Sequence, residues 1–162
     1  MPRMADGTTA KAPSDSRVEM TEMVLPGDAN SLGTAFGGRI MQWIDVAAAV
    51  AARRHAGGVA VTASMDSLNF HRPIRLGDVV VLRASVNRVW RTSMEVGVRV
   101  EFESEGADQP SHAASAYLTF VAIDARGRPR ATVGLIPQTE EQKRRHQEAE
   151  RRRIRRLEGP EG

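Results

Sequence analysis

The chain has 162 residues, which is enough for one domain of ordinary size with a substantial core. Hydrophobic residues make up 41% and charged residues 27%, the usual balance of a globular protein, and the absence of cysteine excludes disulfides, a thiolate nucleophile and a cysteine-ligated metal. The net charge of +3 and the 4% of aromatic residues argue against a nucleic-acid surface. No apolar run follows a basic start, so no secretory signal is predicted and a cytoplasmic location is expected.

The first part of the chain divides into a tail and a strand. Residues 1–16 are small, polar and contain Pro and Gly, which predicts a disordered tail. The main domain is expected over residues 17–138. Its first strand is predicted over Val18–Leu25, where Pro26-Gly27-Asp28 ends it.

A helix is predicted next, over Gly37–His55, and it carries a single carboxylate, Asp45, in its uncharged stretch Ile40–Ala52. The helix is apolar on nearly every side, so it is predicted to be buried, and it is too short to span a bilayer. Burying a lone carboxylate costs several kcal/mol unless it finds partners, and proteins accept that cost where the carboxylate does chemistry. A structural aspartate satisfied by hydrogen bonds is the competing interpretation.

Four strand-like segments follow, over residues 59–70, 79–90, 93–103 and 111–124. The third alternates most cleanly, with apolar residues facing inward while Glu95, Arg99, Glu101 and Glu103 face water. In the second segment Asn87 is also assigned to the solvated face. Such alternation is typical of antiparallel strands with one wet face. The whole pattern predicts an α+β domain, one sheet wrapped around one apolar helix whose remaining side is covered by a second copy of the chain.

Residues 139–162 form a separate, highly charged segment. Glu and Arg recur four residues apart in the order that favours a helix, as in Glu141/Arg145 and Glu148/Arg152. Its few apolar anchors are mainly Ile154 and Leu157. A helix with a solvated surface is predicted, and docking at an interface or beside an anionic ligand is the alternative.

Several enzyme classes can be set aside. The chain has no G-x-S-x-G elbow, no Walker loop and no G-x-G-x-x-G after a strand. Its four histidines have no zinc-site spacing, so no metal is predicted.

The start of the helix is the second candidate feature beside Asp45. The paired glycines Gly37 and Gly38 let a ligand approach bare backbone N–H groups, whose partial positive field suits a developing oxyanion. An ordinary capping loop is a strong competing interpretation. Upstream, Asn30 offers an amide side chain, with a simple turn residue as the alternative.

Five blocks between Val18 and Gln142 resemble the acyl-CoA thioesterases of the hotdog fold. The similarity is to the cytosolic, brain-type acyl-CoA hydrolases and their single-domain bacterial relatives. The blocks are PGDAN (Pro26–Asn30), FGGRIMQWIDVAAAVAARRHA (Phe36–Ala56), VTASMDSLNFHRPIRLGD (Val61–Asp78), RTSMEVGVRVE (Arg91–Glu101) and ASAYLTFVAID (Ala114–Asp124).

The resemblance implies roles for individual residues. Asp45 matches the family's catalytic base or nucleophile, and Gly38 matches the glycine whose N–H forms the oxyanion hole, with Gly37 beside it. Asn30 matches an asparagine that completes the site from the partner domain. Arg91-Thr92-Ser93 resembles the family's contact with the phosphates of coenzyme A.

The animal members carry two fused copies of the domain, whereas this chain has one. It is therefore expected to form a homodimer with two sites, and a trimer of dimers is common in the family. No cofactor is expected beyond the coenzyme A of the substrate, and neither nucleic acid nor membrane insertion is expected.

The sequence thus predicts an enzyme that hydrolyses fatty acyl-CoA to a carboxylic acid and coenzyme A, with the acyl chain along the helix near Trp43. Two alternatives stay open. A hotdog dehydratase acting on acyl-CoA or acyl-ACP needs a histidine beside an acid, which His71 could supply. A non-catalytic acyl-CoA sensor would bind the same ligand without releasing thiol.

Overall fold

The computed structural model describes residue 7 and residues 9–159. The strands are β1 (Ala10–Lys11), β2 (Val18–Met23), β3 (Ala60–Phe70), β4 (Val79–Val89), β5 (Ser93–Glu103), β6 (Ser111–Ala122) and β7 (Gly134–Leu135), and the helices are α1 (Gly37–Ala56) and α2 (Glu140–Glu158). Five strands form an antiparallel sheet in the order β2-β4-β5-β6-β3. The predicted α+β architecture is confirmed: one sheet wraps around α1, and α2 is the additional C-terminal helix.

Helix α1 forms on an Ala-rich segment without proline, and Gly57 ends it in the left-handed region at φ +67°. The face toward the sheet is fully buried, with Ile44, Ala47 and Ala51 at 0% exposure. The opposite face is bare and carries the apolar side chains Met41, Val46 and Val50, between 36% and 47% exposed, together with Gln42 and Asp45. One sheet covers only half of the helix, as expected for the single chain, and cover of the other half by a second copy stays a prediction.

The N-terminal segment is ordered where the structure describes it, which corrects the prediction of a disordered tail. Strand β1 pairs in parallel with β7, and a 3-10 helix follows over Pro13–Asp15. The ammonium of Lys11 donates to the carbonyls of Arg54 and His55 at 2.7 and 3.1 Å, where a cation complements the C-terminal end of α1. The rest of the predicted tail, residues 1–6 and 8, lies outside the described residues.

Helix α2 docks on the outer face of the sheet, so two expectations about that face are wrong. The carboxylate of Glu95 is 1% exposed rather than solvated, and it accepts hydrogen bonds from Arg152. Asn87 is 4% exposed and donates to the same carboxylate at 3.0 Å. The two apolar residues predicted to anchor α2 lie on its exposed side instead, where Ile154 is 46% and Leu157 70% exposed. Alternation along a strand shows which side chains share a face, and a later helix decides whether that face is wet.

Strand β3 is an edge of the sheet, paired with β6 on one side only. Its register against β6 shifts twice, between Thr62 and Ser64 and between Met65 and Ser67. Each shift leaves one extra residue on β3, as in a β-bulge. No helix in the described part of the chain is long and apolar enough to cross a lipid bilayer.

Candidate active site

The carboxylate of Asp45 lies midway along α1 and is held from β3. The hydroxyl of Thr62 donates to Asp45 Oδ1 at 2.7 Å. Thr62 points toward α1 because it pairs with Phe120, which is fully buried on the inner face of β6. No hydrogen bond to Asp45 Oδ2 is made within the described residues, so one carboxylate oxygen is oriented while the other is left for a substrate or water.

Sequence reasoning missed Thr62. An exposed threonine on a strand carries no local signal of its own, and its partner lies 17 residues away on another element. The only available hint was its position inside one of the five family-like blocks, Val61–Asp78.

The first two backbone N–H groups at the N-terminal end of α1 have no hydrogen-bond acceptor in the described chain. No side chain caps this helix, and its residues Gly37 and Gly38 are exposed. The first helix N–H groups with a partner are those of Arg39 and Ile40, which donate to the carbonyl of Phe36 at 3.0 and 3.2 Å. The N–H groups of Gly37 and Gly38, at the very start of the helix, have no partner in the described chain. A Cβ on Gly38 would meet nothing within 4 Å. This end of α1 can therefore admit a ligand oxygen to bare N–H groups.

Asn30 lies in the loop that precedes α1 and holds that loop in shape. Its Oδ1 accepts from the backbone N–H of Leu32 and of Thr34, at 2.9 and 3.2 Å, and its Nδ2 donates to Thr34 Oγ1 at 2.9 Å. Asp28 ties the same loop to α1 through an ion pair with Arg39 at 2.9 Å. No contact joins Asn30 to Asp45 within the described part of one chain.

A cleft of about 340 Å³ opens beside the start of α1. It lies between the loop before the helix and the end of β3, with Gly37, Ile40 and Phe70 in its wall. His71 also lines this cleft, but its ring packs against that of His112, with centroids 4.7 Å apart. His71 makes no described hydrogen bond to Asp45, so the single chain does not assemble the acid–histidine pair of a dehydratase.

The remaining predicted binding residues lie in two other places. Trp43 is 8% exposed and packs in the core of the single chain. Arg91, Thr92 and Ser93 form the turn between β4 and β5, closed by a 2.8 Å hydrogen bond from the N–H of Trp90 to the carbonyl of Ser93. From α2, the guanidinium of Arg153 stacks 4.4 Å from the Trp90 ring centroid and lies 3.4 Å from Ser93 Oγ. Within the described residues neither Arg91 nor Arg153 is paired with a carboxylate.

Burial lowers the pKa of a histidine at the C-terminal end of α1. His55 is completely buried, and its Nε2 lies 3.0 Å from the carbonyl oxygen of Val133. Desolvation lowers the pKa of His55, against the opposing effect of this hydrogen bond. This histidine is remote from Asp45 along the helix and belongs to the scaffold.

Comparison with known proteins identifies the family. Residues 32–107 match the thioesterase superfamily. An uncharacterized acyl-CoA thioester hydrolase of Bacillus subtilis is 42% identical over 79% of this chain and 74% of its own length. Acyl-coenzyme A thioesterase 11 of Mus musculus is 40% identical over 95% of this chain, but the chain spans only 26% of that protein.

Solved structures agree with this result. An apo-hexameric acyl-CoA thioesterase superposes with a TM-score of 0.89 at 39% identity, covering 92% of this chain and 96% of that one. An acyl-CoA hydrolase from Staphylococcus aureus, solved with butyryl coenzyme A and coenzyme A, has a TM-score of 0.84 at 38% identity, covering 93% and 94%. Structures of that hydrolase include variants with one Asn, one Asp or one Thr replaced by alanine. The chain therefore belongs to the acyl-CoA thioesterase family of the thioesterase superfamily and has its hotdog fold.

Proposed function

We propose that this protein hydrolyses fatty acyl-CoA to a free carboxylic acid and coenzyme A. The observation that carries the proposal is the carboxylate of Asp45, oriented through one oxygen by Thr62 and free at the other. The names of relatives that match most of the chain support the same reaction. We place the reaction in the cytoplasm and assign it to residues 17–138, which need neither metal nor cofactor.

The chemistry requires a nucleophile on one side of the thioester carbonyl and a donor for its oxygen on the other. Asp45 Oδ2 removes a proton from water, whose oxygen then attacks the carbonyl carbon. Alternatively, Asp45 Oδ2 attacks that carbon directly and forms a mixed anhydride, which water then hydrolyses to release the carboxylic acid and restore the Asp45 carboxylate. The N–H of Gly38 receives the developing oxyanion, with Gly37 beside it, in the field of the helix N-terminus. Collapse of the tetrahedral intermediate breaks the C–S bond, and the departing thiolate takes up the proton released from the water and leaves as coenzyme A, with Asp45 again a carboxylate.

The proposed site uses Asn30 from a second copy of the chain. In the Staphylococcus aureus hydrolase the three replaced residues Asn, Asp and Thr are separated by 15 and 17 positions. Asn30, Asp45 and Thr62 have the same two separations here. Since Asn30 makes no contact with Asp45 within one chain, a partner subunit is the simplest source of the missing amide.

Two bare surfaces of the chain favour that dimer. The outer face of α1 exposes Met41, Val46 and Val50, and a group of exposed apolar side chains on one helix face is typical of an interface. The free edge of β3 presents unpaired backbone groups over 11 residues, which a second sheet can complete. Because related thioesterases are hexameric, we extend the proposal to a trimer of dimers. The acyl chain is assigned to the seam between the two copies, beside the exposed face of α1, whereas the predicted contact Trp43 is buried in the core of one chain.

The nucleotide end of the substrate is assigned to the turn between β4 and β5. Arg91 offers a guanidinium and Thr92 and Ser93 offer hydroxyls, which together suit phosphate oxygens at the surface without burying charge.

A thiol-release assay with acyl-CoA substrates of increasing chain length tests the function. Steady release of coenzyme A that is insensitive to a chelator is expected. Binding without thiol release would favour the sensor, and loss of water from a hydroxyacyl-CoA without thiol release would favour the dehydratase.

A mixing experiment tests the shared site. Asn30→Ala and Asp45→Asn chains are each expected to be inactive, and mixed oligomers should recover activity through hybrid sites that carry Asn30 and Asp45 on different chains. No recovery in verified heterodimers would show that each site is built from one chain.

A further inference from the structure

The C-terminal end of α2 is bound to the second β-bulge of β3. Asp66 is the extra residue there: Met65 pairs with Leu118 and Ser67 with the adjacent Tyr117, so Asp66 has no partner of its own on β6. The guanidinium of Arg156 donates to Asp66 Oδ2 at 2.7 Å, across 90 residues of sequence. Both side chains are shielded, with 31% of Arg156 and 15% of Asp66 exposed.

Thr119 of β6 closes this contact into a three-residue cluster, which we call the bulge clamp: Asp66, Thr119 and Arg156. Arg156 Nη1 donates to Thr119 Oγ1 at 2.6 Å, and Thr119 Oγ1 donates to Asp66 Oδ2 at 3.2 Å. Ser64 holds the other oxygen of Asp66 at 3.0 Å. The clamp therefore joins α2, the bulge in β3 and the neighbouring strand β6 through charge-assisted hydrogen bonds.

The register of β3 decides whether Thr62 faces Asp45. Side chains alternate along a strand, so a one-residue change of register turns every upstream residue to the opposite face. The two extra residues in β3 keep Thr62 and Met65 on the inner side while Ser64 and Asp66 face outward. Within one chain β3 has ladder hydrogen bonds to β6 only, and a second copy pairing with its free edge would add hydrogen bonds to whichever register the bulges and the clamp have set. If the extra residue at Asp66 were absorbed into regular pairing, Thr62 would turn away from α1.

We propose that Arg156 is a positioning residue for hydrolysis, since the bulge clamp fixes the β3 register that presents the Thr62 hydroxyl to Asp45. The inference rests on the proposed function of Asp45. It assigns to the C-terminal helix a part in the reaction although that helix packs on the opposite face of the sheet. Arg156 acts on the orientation of the carboxylate and makes no contact with substrate.

The test compares Arg156→Gln with Arg155→Gln, which removes the same charge one position earlier, from an exposed side chain with no described hydrogen bond or ion pair. Arg156→Gln is expected to lower kcat about fivefold with KM within about twofold, the signature of an interaction that matters in the transition state. Arg155→Gln should leave both constants unchanged. Arg156→Lys keeps the positive charge but loses the planar guanidinium group, so its kcat is expected to lie between those of the wild type and Arg156→Gln.

A double-mutant cycle separates positioning from simple stabilisation. In a Thr62→Ala background, Arg156→Gln should cause no further loss of kcat, because the group that it positions is absent. A loss of equal size in both backgrounds would overturn the proposal. So would an Arg156→Gln enzyme of lowered melting temperature and unchanged kcat.

A crystal structure of Arg156→Gln tests the same inference without catalysis. The 2.7 Å contact between Thr62 and Asp45 should lengthen beyond hydrogen-bonding distance or be lost. An intact contact refutes the proposal. If the wild-type enzyme releases no thiol, the proposed function fails, and this structure still decides whether the clamp positions Thr62. If Arg156→Gln does not fold, Arg156→Lys takes its place in both measurements.

Discussion

The ion pair between Arg152 and Glu95 supports a quantitative prediction about how α2 is held. Arg152 Nε lies 3.2 and 3.0 Å from the two oxygens of Glu95, and Nη2 lies 2.7 Å from Oε1. The Glu95 side chain is 1% exposed and that of Arg152 15%. Burial lowers the pKa of Arg152, but the hydrogen bonds and charge of Glu95 outweigh it, so the net shift is upward.

Replacing Arg152 by Met keeps an apolar stem against the ring of Tyr117, over which the guanidinium now stacks at 3.6 Å. It leaves the Glu95 carboxylate buried with Asn87 as its remaining side-chain donor. Breaking one side of a buried pair costs about 3–5 kcal/mol of the free energy of unfolding. For a chain of this length that corresponds to a fall of about 6–20 °C in melting temperature.

Differential scanning calorimetry tests this at one protein concentration, with the oligomeric state verified by sedimentation, because assembly also changes the melting temperature. The control is Arg152→Met combined with Glu95→Gln, which removes the unpaired charge and should recover most of the lost stability. A single variant that melts within about 2 °C of wild type would refute the reasoning, since that shift corresponds to at most about 1 kcal/mol. A double variant as unstable as the single one would show that Arg152 acts by packing rather than by charge.

Three further predictions concern the proposed site and its scaffold. Asp45→Asn should lower kcat at least about 100-fold with the fold and oligomer intact, because the amide keeps the shape and loses the basicity; undiminished turnover would remove Asp45 from the mechanism, and a failure to fold would favour a structural role. Arg91→Ala should raise KM for acyl-CoA roughly tenfold, a loss of about 1.4 kcal/mol, and leave hydrolysis of an N-acetylcysteamine thioester unaffected, whereas equal damage to both substrates contradicts a phosphate contact. Since burial holds the pKa of His55 below its ordinary 6.5, the unfolded chain binds the extra proton first, and the free energy of unfolding should decrease as the pH falls below that value, by at most about 1.4 kcal/mol per pH unit. Urea unfolding at several pH values measures this slope, which His55→Gln should reduce; the lowered pKa values of His112 and His146 act in the same direction and set the part that remains.

Local patterns in the sequence were sufficient to predict the main elements of the fold. An Ala-rich segment between paired glycines predicts α1 because helix propensity and glycine boundaries act over a few residues, and α1 indeed runs from Gly37 to Ala56. Alternation likewise predicts β5, whose observed bounds Ser93–Glu103 match the segment predicted from the sequence. The family was recognisable for a related reason, since blocks such as Phe36–Ala56 can be compared residue by residue.

Contacts between distant segments could not be predicted in this way. Glu95 was assigned to a solvated face, because strand alternation contains no information about a helix that packs there 57 residues later. Thr62 and Asp66 gain their partners only when two irregular pairings in β3 turn one toward Asp45 and the other toward Arg156. The two bulges cannot be located from the pattern of apolar and polar residues, which is that of an ordinary strand. The sequence gives the positions of the carboxylates. Their burial and their hydrogen-bond partners depend on which helices and strands pack together, and only the tertiary structure determines that packing.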